Sequence, residues 1–222
     1  MIRVLVLGCL LLGSASSAEV LDFEKARAGE PPAGFAIAQT GPGEPPRWRV
    51  EDDPAAPSGK HVLVQRSSDE TRSRFPLAVH QESSLADGTI QVRFKALSGR
   101  IDQAAGLVWR YRDPENYYVV RANALERNVV LYKVERGKRS DLKPVGAGLF
   151  AYGKEAPVRP EVWQELRVEV TGDTFRVFLD GVRLFEVRDT TFGGAGKVGL
   201  WTKADSVTAF DDLTVLGTPP AP

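Results

Sequence analysis

Two neighbouring segments in the middle of the chain, residues 106–111 and 117–123, each divide by period-two alternation into two faces, one of which carries Leu107, Trp109 and Tyr111, and Tyr118, Val120 and Ala122. If the aliphatic parity faces a core, the opposite face carries Arg110, Tyr117, Arg121 and Asn123. Guanidinium and amide groups form directed hydrogen bonds with hydroxyls, and aromatic rings cover apolar C–H surfaces. Such a face is typical of a sugar-binding surface. A solvated face with arginine stems lying on aromatic rings is an equally weighted alternative.

Three further positions extend the predicted surface. Asn128 and either Lys133 or Tyr132 belong to the next segment, and the parity of its own segment assigns Trp201 to the same face. The predicted ligand-binding set is Arg110, Tyr117, Arg121, Asn123, Asn128, Lys133 and Trp201. The arginines would donate forked hydrogen bonds, Asn123 would donate and accept, and Trp201 would stack on the ligand.

Carboxylates form the second group of candidates, because glycoside hydrolysis uses two of them on either side of the bond. Four lie near the proposed face or its rim: Asp113, Glu115, Glu126 and Asp205. No spacing pairs them, and the Glu-x-Asp-x-x-Glu arrangement of laminarinase-type glucanases is absent from the sequence. We therefore expect a turn or surface role for any one of these acids.

Metal ligands are sparse. His61 and His80 are far apart with no third ligand at a useful spacing, so we predict no His-based metal site. A weaker candidate for structural calcium is a group of acids near the two ends of the chain: Asp22, Glu24, Asp211 and Asp212. These would converge if the termini of the fold meet, although solvated strand-end acids are the favoured alternative. No other cofactor is expected.

The elements that must position these residues are strands. From Gly88 onward the apolar period is two, and turn residues recur between extended runs, for example at Ser98-Gly99 and Asp180-Gly181. The pattern predicts strands near residues 88–97, 104–112, 116–123, 128–135, 164–171, 174–180, 182–188, 197–203 and 207–216. Weaker ones are predicted near 20–24, 47–51, 61–66 and 75–80. The predicted fold is an all-β sandwich or barrel forming one domain over residues 19–217, with a Pro-rich tail at 218–222.

The chain of 222 residues carries equal numbers of acidic and basic residues and a single Cys. The charge balance argues against a nucleic-acid partner, and one Cys forms no disulfide framework. Residues 1–18 combine Arg3, a short apolar run and small residues before Ala18, which is typical of a cleaved signal peptide. A lipobox ending at Cys9 is the less favoured alternative. We expect a secreted or periplasmic protein without membrane insertion after cleavage, and the sequence leaves its oligomeric state open.

Several stretches resemble the concanavalin A-like jelly rolls, in particular the laminin G-like and 3-keto-disaccharide hydrolase-like domains. The resemblance covers nearly the whole mature chain and rests on the segments 20–24 (VLDFE), 47–50 (RWRV), 104–113 (AAGLVWRYRD), 116–118 (NYY), 163–168 (WQELRV), 178–181 (FLDG), 196–201 (GKVGLW) and 210–213 (FDDL). It implies a two-sheet antiparallel jelly-roll sandwich whose concave face binds glycans in many relatives. Arg110 matches the arginine that follows a Gly-x-x-aromatic stretch in the hydrolase-like domains.

Three functions follow as hypotheses. The first is saccharide binding on the concave face. The second is hydrolysis of 3-keto-glycosides, with Arg110 as the cation over a developing enolate and Glu126 or Asp205 as the base. The third is a non-catalytic structural or adhesion module that binds another protein.

Overall fold

The structure is a computed structural model that describes residues 18–218. Its sixteen strands are β1 (Glu19–Leu21), β2 (Phe35–Thr40), β3 (Trp48–Asp52), β4 (His61–Gln65), β5 (Phe75–Leu85), β6 (Gly88–Ser98), β7 (Ala104–Asp113), β8 (Asn116–Asn123), β9 (Asn128–Glu135), β10 (Lys138–Asp141), β11 (Lys154–Glu155), β12 (Gln164–Thr171), β13 (Thr174–Leu179), β14 (Val182–Arg188), β15 (Gly196–Trp201) and β16 (Val207–Gly217). No helix that could cross a membrane occurs in this described range. The predicted signal peptide lies almost entirely outside it.

The strands form two antiparallel sheets of eight strands each. The first sheet has the order β14-β13-β12-β6-β16-β4-β3, with β1 paired to β16. The second sheet has the order β10-β9-β8-β7-β15-β5-β2, with β11 paired to β9. Strands distant in sequence are neighbours in both sheets, as in β6 beside β16. The predicted all-β jelly-roll sandwich is therefore confirmed.

The core lies between the two sheets and is built by the period-two alternation. In β6 the buried side chains are Ile90, Val92, Phe94 and Ala96. In β8 the residues Tyr118, Val120 and Ala122 join the same cluster. The other parity of β8 lies on the opposite face of the second sheet, which we call the outer face. Alternation along the sequence thus assigns this strand's side chains to the correct faces.

Three strands were not predicted, and each lies at or next to a sheet edge. β2 follows a loop rich in Gly and Pro, β10 has the wholly polar sequence KRSD, and β11 has only two residues. An edge strand pairs on one side only and needs no continuous apolar face, so it leaves little alternation in the sequence.

A β-bulge interrupts β7 at Arg110 and reverses the parity beyond it. Arg110 has a positive φ of 48°, and the pairing with β8 shifts register between Trp109 and Asp113. The alternation predicted Arg110 for the outer face and Tyr111 for the core. The bulge instead places Tyr111 against the cluster of the outer face and turns Arg110 to the end of the sandwich. A bulge adds one residue to a strand, and period-two reasoning cannot anticipate it.

Candidate functional site

The outer face of the second sheet is an aliphatic and aromatic surface contributed by five neighbouring strands. Its buried members are Phe75, Leu77, Val79, Ala104, Val108, Tyr117, Val119, Val130, Tyr132, Val134 and Trp201. The Phe75 and Trp201 rings stack with centroids 5.3 Å apart, and Tyr117 shares a hydrogen bond of 2.8 Å with the hydroxyl of Thr40. Burial is the main reason that the pKa of the Tyr117 phenol lies above its ordinary value. The phenol therefore stays protonated.

Arg139, on the edge strand β10, lies over the rings of this face. Its guanidinium carbon is 4.4 Å from the ring centroid of Tyr132, 4.8 Å from that of Phe75 and 5.8 Å from that of Trp201. These are cation–π distances. Trp201 is completely buried beneath this layer. It lies on the predicted face, but stacking on a ligand would require Arg139 to move.

One end of the outer face carries a hydrogen-bonded polar cluster centred on Arg121. The completely buried guanidinium donates from Nη1 to Glu126 Oε1 at 3.1 Å, and from Nη2 to Glu126 Oε2 at 2.8 Å. Nη2 also donates to Asn128 Oδ1 at 2.6 Å. The Tyr132 and Tyr152 ring centroids lie 5.7 and 5.9 Å from its Cζ. The Arg121 guanidinium is therefore held in place by contacts with two tyrosine rings and by a bidentate ion pair.

Asn123 extends the polar cluster toward Asp102 and Lys203. Its Nδ2 donates to Asp102 Oδ1 and, at 3.2 Å, to Glu126 Oε1. Lys203 Nζ donates in turn to Asp102 Oδ2. The six residues of the polar cluster are Asp102, Arg121, Asn123, Glu126, Asn128 and Lys203. The positive charges of Arg121 and Lys203 balance the negative charges of Asp102 and Glu126 within this cluster.

Glu126 is the most accessible charged group of the polar cluster. Burial alone would raise its pKa, but the hydrogen bonds and charge of Arg121 outweigh that effect, with help from Asn128, and the pKa lies below its ordinary value. A carboxylate with a lowered pKa is a weak proton acceptor. The arrangement suits hydrogen bonding to a ligand better than proton abstraction.

Arg110 lies at the opposite end of β7 from the polar cluster. Its guanidinium donates to three loop carbonyls, those of Phe192 at 2.8 Å, Ala86 at 3.1 Å and Gly172 at 2.6 Å. Asn123 pairs with Ala104 at the other end of the strand, so about 20 Å of extended chain separates the two sites. The predicted placement of Arg110 beside Arg121 is wrong, because the bulge redirects its side chain.

Lys133 and Asp205 also lie outside the polar cluster. Lys133 has the core-facing parity of β9 and donates to Thr191 Oγ1 at 2.6 Å. Tyr132, which was the predicted alternative to Lys133, lies on the outer face. Asp205 accepts hydrogen bonds from three consecutive backbone amides, those of residues 100–102, at 2.6 to 3.1 Å. Its carboxylate holds that loop, so Arg110, Glu126 and Asp205 do not converge on one site.

The acids proposed for calcium hold the loop at residues 58–61. Glu24 Oε1 accepts hydrogen bonds from the backbone amides of Lys60 at 2.8 Å and His61 at 2.6 Å. Asp211, which is completely buried, accepts from the amide of Ser58 at 3.0 Å. Both carboxylates thus already serve as acceptors for loop amides. Calcium at Asp22, Glu24, Asp211 and Asp212 stays a prediction.

Five residues of the outer face and its polar cluster were not found from the sequence, or were left as alternatives: Asp102, Tyr132, Arg139, Tyr152 and Lys203. Tyr132 has the same parity as Val130, which was an available signal. Arg139 lies on the unpredicted strand β10, and the other three lie in loops. Loop residues carry no periodicity that would assign them to a face.

No protein-family model and no curated protein matches this sequence. Solved structures with similar architecture do exist. The carbohydrate-binding module CBM66 from Bacillus subtilis has 19% identity and a TM-score of 0.61, covering 81% of this chain and 93% of that one. The cellulose-induced protein Cip1 has 11% identity and a TM-score of 0.62, covering 91% and 100%. The exoplasmic/lumenal domain of VIP36, in its Ca²⁺/Man3GlcNAc-bound form, has 10% identity and a TM-score of 0.52, covering 84% and 86%.

At identities this low, structural similarity shows a shared architecture only. The function has to be argued from the residues of the site. The strand order, the antiparallel pairing and these similarities agree with one another. The chain has the concanavalin A-like jelly-roll fold.

Proposed function

We propose that the protein binds a saccharide at the polar cluster of the outer face. The observation that carries this proposal is the fixed Arg121, which orients Glu126 and Asn128 beside the half-exposed ring of Tyr152. The Glu126 side chain is 38% exposed and Tyr152 is 45% exposed. A ligand here meets carboxylate and amide groups for its hydroxyls and an aromatic ring for its C–H face.

The charge balance of the polar cluster favours a neutral, hydroxyl-rich ligand. Arg121 is paired with Glu126, and Lys203 with Asp102. The groups are held by one another and need little reordering on binding, which lowers the entropic cost of association. The similarity in fold to a carbohydrate-binding module and to a glycan-bound lumenal domain supports the same proposal.

We propose binding and not cleavage. Hydrolysis of a 3-keto-glycoside by Arg110 with Glu126 or Asp205 would require these groups to surround one reacting centre. Arg110 is about 20 Å away along β7, and Asp205 is occupied by the three loop amides. Incubation with 3-keto-trehalose and 3-keto-lactose should therefore release no monosaccharide above the blank.

The proposal is tested by titrating the purified protein with a panel of neutral oligosaccharides, using a glycan array followed by calorimetry. Tyr152→Ala and Glu126→Gln should each weaken binding about tenfold or more, because each removes one accessible contact. Glu30→Gln, which changes an exposed glutamate in the loop before β2, should bind within twofold of the parent. The absence of any saccharide ligand, or equal affinity in all variants, would refute the proposal.

An exposed apolar loop favours a second candidate, an adhesion module that binds another protein. Val145, Leu149 and Phe150 are 58%, 87% and 99% exposed in the segment before Tyr152. Large exposed apolar side chains that lie close together mark interaction surfaces. Under this candidate the saccharide panel gives no signal. The protein then binds immobilised envelope proteins of the producing cells, and a Leu149→Ser/Phe150→Ser variant does not.

A further inference from the structure

Two glutamates and a histidine from different sheets meet at one side of the sandwich. Glu19 belongs to β1 of the first sheet, and His80 and Glu82 belong to β5 of the second. One potential ligand atom from each of the three residues lies within 4.8 Å of the other two. No spacing in the sequence joins them, because Glu19 and His80 are 61 positions apart.

His80 is the feature that distinguishes this group from ordinary surface acids. The residue is 4% exposed, and its ring packs against Phe35 with centroids 5.1 Å apart. Its Nδ1 is buried, and no hydrogen-bond partner for it lies among residues 18–218. Glu19 Oε2 is 3.9 Å away, which is too far for a hydrogen bond. Buried polar atoms are almost always paired, so an unpaired imidazole nitrogen aimed at a carboxylate requires an explanation.

The second carboxylate comes from an irregular part of β5. The pairing of β5 with β15 shifts register between His80 and Leu85, and the Ser83 hydroxyl donates to the His80 carbonyl within this stretch. A Glu82 carboxylate oxygen lies there within 4.8 Å of the ligand atoms of Glu19 and His80. Glu19 approaches from the first sheet. An ion between the three side chains would therefore connect the two sheets where β1 begins.

We propose that Glu19, His80 and Glu82 bind one divalent transition-metal ion, for which zinc is the best match. Imidazole nitrogen and carboxylate oxygen are both zinc ligands, and a water would complete a tetrahedral shell. Calcium and magnesium prefer all-oxygen ligands and higher coordination numbers. The two carboxylate charges balance the charge of the ion. The site serves as a structural clip that holds β1 to β5.

The test is zinc binding to protein freed of metal with a chelator that is then removed. Calorimetry should give one tight equivalent of zinc. The Tm should rise by about 5 to 10 °C when zinc is at a hundredfold excess over its Kd. Cobalt should give the visible absorption of a four-coordinate ion.

Glu19→Gln and Glu82→Gln are the decisive variants, because both side chains are exposed and the substitution removes the charge while keeping the size of the side chain. Each should lower zinc affinity at least tenfold and, at the same zinc concentration, reduce the Tm rise to about half or less. Glu155→Gln, which changes an exposed glutamate on β11, should keep both the zinc affinity and the Tm rise of the parent. No binding by the parent protein, or equal affinity in all variants, would overturn the proposal. Saccharide binding at the polar cluster uses none of these residues, so failure here leaves the proposed function standing.

Discussion

Arg121 is completely buried and still charged, and its surroundings show how the fold accommodates it. Burial lowers the pKa of a guanidinium, but Tyr132, Glu126 and Tyr152 more than compensate, and the pKa of Arg121 lies above its ordinary value. Both Nη atoms of the cation already donate hydrogen bonds, to Glu126 and Asn128, while its buried Nε has no partner among residues 18–218. Its role is to position Glu126 and Asn128.

Replacing Arg121 with Met should lower the free energy of unfolding by about 3 kcal/mol, because it breaks a buried, hydrogen-bonded ion pair. Urea denaturation measures the change. Arg183→Met is the matched control, since Arg183 is 53% exposed and pairs with Glu186 on an edge strand, where such pairs contribute less than about 1 kcal/mol. Equal losses in the two variants would contradict the assigned role.

Asp211 should make stability depend on pH. Burial, assisted by the charge of Asp212 and opposed by hydrogen bonds from Ser58 and the Asp212 amide, raises its pKa to about 6. The unfolded chain would titrate near 3.9. Between these values the folded state holds more protons than the unfolded state, so this residue's contribution to stability falls as pH rises from about 4 to 6.

Comparison of Asp211→Asn with the parent at pH 4 and pH 7 tests this dependence. The variant does not ionise, so its stability relative to the parent should increase by about 1 to 3 kcal/mol across that window. Urea denaturation at each pH gives the difference. Asp173→Asn, in an exposed turn, should show almost no such change. A difference that stays constant with pH would contradict a raised pKa.

At the scale of the elements, the bulge in β7 decides where the site can form. It sends Arg110 to the loops at one end of the sandwich, where its three carbonyl contacts join the β5–β6 turn, the β12–β13 turn and the loop before β15. The polar cluster forms at the other end. The bulge thus separates a structural arginine from the arginine of the candidate site.

Gly196 is the glycine that allows the bulge to approach β15. A Cβ at this position would lie 2.6 Å from the Arg110 carbonyl carbon and Cα, a clash with backbone that no side-chain rotation relieves. Gly196→Ala should therefore destabilise the protein by about 2 kcal/mol or more in urea denaturation. At Gly193 no atom of the described residues lies within 4 Å of the added Cβ. Gly193→Ala should thus be nearly neutral, and similar losses in both variants would refute this account.

At the scale of the whole molecule, we propose export with cleavage after Ala18. Fractionation of producing cells followed by N-terminal sequencing should give an extracytoplasmic protein that begins at Glu19. Cys9→Ser should leave export and processing unchanged, since the apolar run continues past Cys9. Lipid attachment at Cys9, or an exported chain that retains residues 1–18, would contradict the proposal.

Most of the fold was predictable because its cause is local. A strand buried on one side must alternate, and β6 carries that alternation without interruption. The edge strands were missed because they bury no continuous face. The same parity placed Tyr117, Arg121, Asn123, Asn128 and Trp201 on the outer face. It failed at Arg110, where a bulge adds a residue.

The sequence by itself determined the all-β sandwich, the positions of most strands along the chain and the face on which most of the candidate residues lie, because these depend on periodicity and turn chemistry within a few residues. Only the tertiary structure decided which of them meet. It joined Arg121 to Glu126, covered Trp201 with Arg139 and brought Glu19 to His80. Such contacts depend on sheet order, bulges and loop paths, which bring together residues whose separation along the chain carries no signal.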